Sequence, residues 1–364
     1  MRIVVDARCI QPHFPGLGRY TLNLIRALPS VSSDEIVAVT EQVQPDVLTL
    51  GVTRLTVRAP VRSLREQWAI PRAVRHLAAT IYHAPYYFRP YFVPAPSVVT
   101  VSDVIPALLP MALPSRPARL AYEIAMRLTL AGARRILTLS GCVRRDLIRH
   151  YRIRPERVAV TPAGLDPSFR PPTRSAIALV RERYGLQEDY LLYVGINKPH
   201  KNLRRLVDAY ARFASARPER LVLAGPEDAR YSDVRQAIAR HHLGHRVSIL
   251  GPVDEPDLPA LYAGAVLFVF PSLYEGFGLP VLEAMGCGTP VACSVTGALP
   301  EVAGAAALTF DPFNSAAIAD AIVRVLEDRG LRDDLRHRGL ARAREYTWAA
   351  TAEATLQVYR EALM

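Results

Sequence analysis

The sequence predicts an α/β protein with two doubly wound domains that face each other across a cleft. Short apolar runs alternate with amphipathic stretches along nearly all of the 364 residues, which is typical of parallel sheets covered by helices on both faces. A segment rich in Pro and Gly, residues 163–174, interrupts this alternation near the middle of the chain. The length also suits two domains of ordinary size.

The individual elements follow from hydrophobic periodicity. In the first half, it predicts strands at residues 3–5, 36–39, 55–57, 80–82, 98–101 and 136–139, and helices at 20–28, 116–133 and 142–150. In the second half, it predicts strands at residues 190–194, 221–224, 247–250, 266–270 and 290–293, and helices at 202–215, 232–241, 258–262, 279–285, 316–327 and 347–363.

Several classes of protein are disfavoured by the composition. The longest apolar runs, such as residues 265–270, are far shorter than the ~20 residues that a membrane helix needs. The sequence opens on a strand-like run without a basic and apolar leader, so we expect a cytoplasmic protein. The four cysteines form no Cys-x-x-Cys pair and no zinc-ligand spacing with a His, which indicates buried or incidental thiols.

The net charge of +11 is concentrated in the first half of the chain. Residues 1–180 hold 24 Arg against 11 Asp and Glu, a balance of +13, whereas residues 181–364 balance to −2. Such a field attracts phosphorylated substrates, anionic lipid or nucleic acid. No helix-turn-helix, zinc-finger or ribonucleoprotein motif is present, so a basic nucleic-acid-binding protein is a remote alternative and we expect no nucleic acid partner.

Two lysines mark a candidate phosphate site. Of the 45 Lys and Arg residues only Lys198 and Lys201 are lysines, and they lie three residues apart. They follow the strand predicted at residues 190–194, and ligands of doubly wound sheets bind at the carboxyl ends of strands. A compact ammonium there would stabilise a diphosphate whose negative charge grows as it leaves.

The richest chemical signal is the segment of residues 271–283, which contains Glu-Gly-Phe-Gly. Its glycines let the backbone approach a ligand closely, and the start of the helix that follows suits a phosphate. Glu275 lies on the loop and Glu283 inside the helix, where carboxylates can bind sugar or ribose hydroxyls. The alternative is a glycine-kinked loop with two ordinary surface carboxylates.

Two weaker candidates follow strands of the first half. Gly16 and Gly18 lie on the loop after residues 3–5, but Thr21 stands where a nicotinamide fingerprint would need a third glycine, so a tight turn is the alternative. His83 and Asp103 each follow a predicted strand and form a candidate polar pair. The alternative for His83 is a purely structural role.

These motifs together resemble glycosyltransferase family 4, the retaining enzymes of GT-B type with two Rossmann-like domains. The resemblance covers essentially the whole chain, and its most specific part is Glu275 and Glu283 with seven residues between them. It implies an acceptor-binding domain at residues 1–170, a donor-binding domain at residues 171–345, and a last helix at residues 346–364 that packs back on the first domain.

The resemblance also implies roles for the site residues. Glu275 would hold hydroxyls of the donor sugar, Glu283 would hold the ribose, and Lys201 would contact the diphosphate. The other positions expected to contact the donor are Gly16 and Gly18 in the first domain and the backbone of Phe277, Gly278 and Leu279 in the second.

Two departures from the family pattern change these expectations. Many members carry an Arg beside the lysine, and here Lys198 or Arg19 would supply the second cation. Many members also carry a His where Ser102 precedes Asp103, which makes His83 the better catalytic candidate of the first domain.

The implied reaction is transfer of a hexosyl group with retention of anomeric configuration. Because no carboxylate is placed as an obvious nucleophile, we favour front-face attack, in which a phosphate oxygen of the leaving group takes the acceptor's proton. No cofactor is expected, and the lack of an Asp-x-Asp motif predicts no metal. The acidic run at residues 254–257 is better explained as a polar helix start.

The donor and acceptor are less specified. Gly-x-Gly-Arg-Tyr at residues 16–20 with Pro-x-Lys-Asn at residues 199–202 resembles mannosyl- and rhamnosyl-type polysaccharide assembly enzymes. This favours GDP-mannose and a glycan or lipid-linked acceptor in polysaccharide, lipopolysaccharide or glycolipid assembly. A UDP-glucose-type enzyme and a nucleotide-sugar epimerase are the alternatives. Basic amphipathic helices around residues 62–75 and 116–128 would let the first domain rest on an anionic leaflet.

Overall fold

The computed structural model of the chain describes residues 1–11, 15–42, 50–113 and 115–364. It divides into two compact units, Met1–Gly164 together with Tyr346–Met364, and Leu165–Glu345. The assignment of acceptor binding to one domain and donor binding to the other stays a prediction.

The first unit is built on seven parallel strands in the order β3-β2-β1-β4-β5-β6-β7. The order reverses between β1 and β4, which makes the sheet doubly wound. The strands are β1 (Arg2–Asp6), β2 (Glu35–Thr40), β3 (Thr53–Thr56), β4 (Ile81–Ala84), β5 (Ser97–Val101), β6 (Arg135–Thr138) and β7 (Val158–Val160). Its helices before residue 165 are α1 (Pro15–Val31), α2 (Glu66–His76), α3 (Ile105–Leu108), α4 (Arg116–Gly132) and α5 (Gly141–Tyr151).

The second unit is built on six parallel strands in the order β10-β9-β8-β11-β12-β13, with its reversal between β8 and β11. The strands are β8 (Tyr190–Val194), β9 (Arg220–Ala224), β10 (Val247–Gly251), β11 (Leu267–Phe270), β12 (Val291–Ser294) and β13 (Leu308–Phe310). The helices are α6 (Arg174–Arg183), α7 (Leu203–Tyr210), α8 (Asp233–Arg240), α9 (Leu258–Ala263), α10 (Leu279–Gly286), α11 (Leu299–Ala303), α12 (Ser315–Glu327) and α13 (Arg329–Arg344). The predicted α/β class with two doubly wound sheets is confirmed.

The last helix, α14 (Trp348–Glu361), belongs to the first unit. Thr351 donates its hydroxyl hydrogen to the Pro162 carbonyl at 2.7 Å, and the Trp348 ring lies 5.8 Å from that of Tyr20 in α1. A Cβ at Gly164 would stand 2.3 Å from the Trp348 nitrogen, so only glycine permits this approach. The predicted return of the last helix to the first domain is therefore confirmed.

The first unit contains a buried ionic network centred on Arg8. The Arg8 guanidinium is fully buried and bonds the Asp6 carboxylate at 2.6 Å, while its other nitrogen lies 3.0 Å from Glu66 of α2. Tyr82 of β4 donates to Asp6 at 2.6 Å. Burial opposes ionisation of Asp6, but the charge and hydrogen bonds of Arg8 and the bond from Tyr82 hold its pKa below the ordinary value. The network thus connects β1, β4 and α2 in one polar cluster.

One predicted helix is shorter than expected. The pattern at residues 202–215 predicts one helix, but α7 ends at Tyr210 and the chain continues in turns closed by bonds such as Phe213 N–H to Tyr210 O and Ala216 N–H to Phe213 O. Bonds between residues three apart tighten the chain and end the α-helical ladder. No helix of the described residues is long and apolar enough to cross a bilayer.

We expect Arg8→Met to lower the free energy of unfolding of the first unit by about 3–5 kcal/mol, because it leaves two buried carboxylates without their cation. Chemical unfolding followed by circular dichroism measures the change. The control is Arg127→Met, which removes an exposed ion pair with Glu123 and should cost less than about 1 kcal/mol. Equal losses in the two variants would contradict a central role for the buried network.

Candidate functional site

The two loops with the strongest sequence motifs meet at the switch point of the second sheet. β8 and β11 are parallel neighbours, and Leu192 pairs in register with Phe268. Lys201 follows β8 and Glu275 follows β11, and their Nζ and Oε1 atoms lie 2.7 Å apart although 74 residues separate them. Both side chains are largely buried. The structure therefore joins the predicted phosphate cation and the predicted sugar carboxylate in one ion pair.

The loop that carries Lys201 is fastened to its neighbours by backbone and amide bonds. The backbone carbonyl of His200 accepts a hydrogen bond from the Leu273 N–H at 2.7 Å. Asn202 has a left-handed backbone, φ 62°, and its side chain donates to the Pro271 carbonyl at 3.0 Å and the Pro312 carbonyl at 2.7 Å. The Lys201 ammonium also lies 5.2 Å from the centre of the Phe270 ring. These contacts hold the ammonium in place before any ligand binds.

The backbone of Glu275 is held by a glycine on the next loop. Gly297 has φ +64°, and a Cβ there would lie 2.7 Å from both the nitrogen and the oxygen of Glu275. The following residue, Ala298, donates its N–H to the Glu275 carbonyl at 2.9 Å. The position of Glu275 therefore depends on the absence of a side chain at residue 297.

The turn after Glu275 leads into α10. Gly278 adopts φ +116° directly before the first helical residue, Leu279, and Val281 N–H bonds the Gly278 carbonyl at 3.0 Å. The first-turn amides and the dipole of this helix suit an anion. Gly278, with the neighbouring Phe277 and Leu279, lies where the sequence predicts backbone contacts to a diphosphate.

Glu283 lies one turn inside α10 and is buried. Its carboxylate accepts a hydrogen bond from the Tyr262 hydroxyl of α9 at 2.8 Å. The backbone carbonyl of Tyr262 in turn accepts from the Thr289 hydroxyl at 2.7 Å. Sequence reasoning missed Tyr262, because no spacing in the sequence links α9 to the Glu275 motif.

A second cluster of charges lies beside the lysines. Asn197 is buried and fixes the loop after β9: its amide donates to the Tyr231 carbonyl at 2.9 Å, and its side-chain oxygen accepts from the Asp228 N–H at 2.5 Å. The hydrogen bond from Arg230 lowers the pKa of Asp228 to about 2, and the charge of the exposed Lys198 acts in the same direction. Sequence reasoning also missed Asn197, Asp228 and Arg230. The available signal was that residues 196–198 lack the Arg that many family members carry beside the lysine, so another cation had to be sought.

The first-unit glycines do not lie on a loop. α1 begins at Pro15, so Gly16, Gly18 and Arg19 are among its first five residues, which corrects the predicted loop. Proline favours the first helical position because its missing N–H has no partner there. Gly16 is exposed, whereas Gly18 is buried, and a Cβ on it would lie 3.4 Å from the Cys9 carbonyl.

His83 is part of the core rather than of an open site. β4 extends to Ala84, so His83 lies within the strand and not after it. It is fully buried, its Nε2 bonds the Thr100 hydroxyl at 2.8 Å, and its Nδ1 bonds the Tyr359 hydroxyl of α14 at 2.6 Å. Because both ring nitrogens have partners inside the protein, the structure supports a packing role for His83 and not the predicted catalytic one.

Asp103 is half buried at the end of β5. Its Oδ1 accepts a hydrogen bond from the Ile105 N–H at 3.0 Å, and its Oδ2 accepts from the Ser102 hydroxyl at 3.3 Å. It therefore begins the turn into α3, whereas the hydrogen bonds of the His83 ring go to Thr100 and Tyr359. The predicted polar pair of the first unit does not form between these two side chains.

The ranges 1–11, 15–42, 50–113 and 115–364 contain no group of three His, Cys, Asp or Glu side chains placed to hold a metal ion. In the acidic run, Asp257 accepts from Arg183 at 2.6 Å and from the Tyr184 hydroxyl at 3.0 Å. That carboxylate is thus engaged in a structural contact. The predicted independence from metal stays a prediction.

Comparison with known proteins defines the class. The family described as glycosyl transferases group 1 matches residues 180–342, and that described as Glycosyltransferase Family 4 matches residues 14–169. In the solved structures, the Anabaena protein HepE in complex with UDP-glucose aligns over 99% of this chain and 100% of its own, with a TM-score of 0.80 and 19% identity. Fold and site together define a glycosyltransferase with two α/β domains, each built on a parallel sheet.

The curated relatives narrow this class. The O-antigen chain mannosyltransferase B of Escherichia coli is 31% identical and covers 99% of this chain and 100% of its own length. A D-inositol 3-phosphate glycosyltransferase of Acidothermus cellulolyticus is 33% identical over 64% of this chain and 54% of its own. This chain belongs to glycosyltransferase family 4, as the motif resemblance predicted, and the predicted enzyme class, a hexosyltransferase, is confirmed.

We expect Gly297→Ala to weaken nucleotide-diphosphate binding at least about tenfold, because the new methyl group must displace the backbone of Glu275. Isothermal titration calorimetry with GDP and UDP measures the effect. Gly185→Ala is the matched control: Gly185 has the same kind of backbone, φ +65°, but nothing lies within 4 Å of its Cβ position. If both variants lose nucleotide affinity to the same extent, the cause is backbone strain at positive φ and not displacement of Glu275.

We also expect stability to fall in mild acid through two buried histidines. Burial lowers the pKa of His83 to about 3, and burial with the charge of Lys201 lowers that of His200 to about 4, against 6.5 for a free side chain. The unfolded chain therefore binds more protons below pH 6.5, and each histidine should cost the folded state about 2 kcal/mol by about pH 5. Chemical unfolding at about pH 7.5 and about pH 5 gives the free energy of unfolding at each pH, and the difference measures the loss. His200→Gln should reduce it, whereas a similar reduction in exposed His245→Gln would contradict this account.

Proposed function

We propose that this chain transfers a mannosyl group from GDP-mannose, with retention of configuration, to a glycan or lipid-linked acceptor in polysaccharide, lipopolysaccharide or glycolipid assembly. The observation that carries the proposal is the buried ion pair of Lys201 and Glu275 at the switch point of the second sheet. Ligands of doubly wound sheets bind there, and the pair supports the proposal because Lys201, the proposed phosphate cation, lies 2.7 Å from Glu275, the proposed sugar-binding carboxylate.

The ion pair explains how transfer would be catalysed. As the glycosidic bond breaks, negative charge grows on the leaving diphosphate, and an ammonium held in a largely buried position stabilises that charge more strongly than water does. Glu275 would accept hydrogen bonds from hydroxyls of the donor sugar, and Glu283 would do so from the ribose. The acceptor proton would pass to a phosphate oxygen, so the side chains orient and stabilise without forming a covalent intermediate.

Lys201 and Glu275 also stabilise each other's buried charge before the donor binds. A buried ammonium without a partner would lose its proton or destabilise the unit. Glu275 is therefore the counter-charge of Lys201 in the unliganded protein. Arg230, which is paired with Asp228, and Lys198 would supply the further positive charge that a diphosphate requires, in place of the Arg that many family members have.

The choice of GDP-mannose rests on relatives rather than on a base-binding contact. The Escherichia coli O-antigen chain mannosyltransferase B matches over its full length, and the serotype-specific mannosyltransferase WbdA of the same species matches over 63% of this chain at 30% identity. The likeness to HepE is at the level of the fold. We further propose that the enzyme works without metal, on the cytoplasmic side and at a membrane surface, where a lipid-linked acceptor is found.

In the presence of EDTA, we expect GDP to raise the melting temperature of the wild-type protein more than UDP or ADP does, because a ligand that binds only the folded state stabilises it. Differential scanning fluorimetry measures the shifts, and calorimetry gives the dissociation constants. Lys201→Met should weaken GDP binding roughly tenfold to a hundredfold, since a charge-assisted hydrogen bond is lost.

The double variant Lys201→Met/Glu275→Gln controls for stability, because it removes both charges of the buried pair together. It should regain most of the melting temperature lost in Lys201→Met without regaining GDP binding. A melting temperature that rises selectively with UDP would leave the enzyme class unchanged and indicate a UDP-sugar donor. No shift with any nucleotide would sink the proposed donor site and the choice of GDP-mannose.

A further inference from the structure

Helices α2 and α4 lie on the same face of the first sheet. Ile70 and Val74 of α2 and Tyr122 and Met126 of α4 belong to one buried cluster that also contains core residues of β1, β4 and β5. The outward sides of both helices therefore point away from the sheet in the same direction.

The segment between β4 and β5 connects these two helices. The Tyr91 N–H donates to the Gln67 side chain of α2 at 3.0 Å, and the Tyr91 carbonyl lies 3.8 Å from the Cβ position of Gly132 in α4. The next residue, Phe92, is 82% exposed. The outward sides of α2 and α4, with Phe92, thus form one continuous surface, which we call the α2–α4 surface.

The α2–α4 surface exposes an unusual number of large apolar side chains. On α4, Leu120, Ile124 and Leu128 are spaced four residues apart and so form one stripe along the helix. Trp68 on α2 is 70% exposed, and Leu64 lies four residues before it. Single exposed apolar residues are ordinary, but a cluster drawn from three adjacent segments marks a surface that binds a partner.

The charges around this apolar cluster have one sign. Exposed arginines flank it on both helices: Arg72 and Arg75 on α2, and Arg116, Arg119 and Arg127 on α4. The two carboxylates of these helices are engaged: Glu66 is buried against Arg8, and Glu123 is half buried with His150 at 3.2 Å and Arg127 at 3.9 Å. The partner must therefore combine an apolar phase with negative charge.

We infer that the α2–α4 surface docks on the anionic leaflet of a lipid bilayer. Leucine, isoleucine and aromatic side chains enter the boundary between headgroups and acyl chains, and arginines bind the lipid phosphates above them. Tryptophan prefers this boundary because its ring is apolar while its N–H remains hydrated. The inference names the lipid partner of the proposed function, but lipid binding itself needs neither donor nor acceptor.

The two tryptophans of the chain allow a direct test. Trp68 is 70% exposed on the surface, whereas Trp348, the first residue of α14, is only 9% exposed. We expect the full chain to bind vesicles of phosphatidylglycerol and phosphatidylcholine, with a blue shift of Trp68 emission and quenching by brominated acyl chains. Trp68→Phe should abolish both signals. Binding should weaken as salt rises and be much weaker for phosphatidylcholine alone.

Matched variants separate this surface from general stickiness. Arg72→Gln/Arg75→Gln should weaken sedimentation with anionic vesicles about fivefold per arginine, whereas Arg174→Gln/Arg212→Gln, the same loss of charge elsewhere, should not. Leu120→Ser should likewise weaken binding, whereas Leu179→Ser should not, although Leu120 is 63% and Leu179 is 65% exposed.

Three results would overturn the inference: no vesicle binding by the wild type, equal losses in test and control variants, or equal binding to neutral and anionic vesicles. A concentration-dependent dimer that Leu120→Ser abolishes would assign the surface to a second copy of the chain instead. GDP binding is measured on the same samples. Protein that binds GDP but not vesicles would overturn this inference alone. Protein that binds vesicles but no nucleotide would overturn the proposed function alone.

Discussion

The donor half of the proposed chemistry depends on the ion pair between Lys201 and Glu275. Two loops 74 residues apart in sequence must meet within 2.7 Å for it to form, and the reversal of strand order between β8 and β11 brings them together. The surrounding contacts hold the two loops in these positions. Asn202 bonds the first loop to the second, and Gly297 leaves room for the backbone of the second. A shift of either loop would separate a buried cation from its counter-charge, which the low dielectric of the interior makes expensive.

The fold and the second-unit site were largely predictable because their signals are local. Strands buried on both faces appear as short apolar runs, and the Glu275 and Glu283 motif lies directly after one of them. The scarcity of lysine added a signal independent of any motif. α13 escaped prediction for the opposite reason: only Leu335, Gly339 and Ala343 of its sixteen residues are buried, so its arginines hide the helical period.

The first-unit site was predicted less well because its residues depend on contacts that spacing does not encode. His83 follows the apolar residues of β4 and suits a strand-end catalytic position, yet Thr100 and Tyr359, the latter 276 residues away, use both of its ring nitrogens. The same holds for the partner of Glu283, since Tyr262 comes from a different helix. A buried polar side chain must find hydrogen-bond partners, but the sequence does not say which ones.

The buried pair also explains why lysine survives at residue 201 in a chain that otherwise uses arginine. A guanidinium is a wide planar fork, suited to clamping a carboxylate through two parallel bonds. An ammonium is a compact charge that can hold one carboxylate oxygen, face the Phe270 ring and still keep a donor for a phosphate. In the proposed mechanism, the site would hold its cation on Glu275 and then share it with a leaving diphosphate, which is better served by the side chain with the smaller, rotatable set of donors.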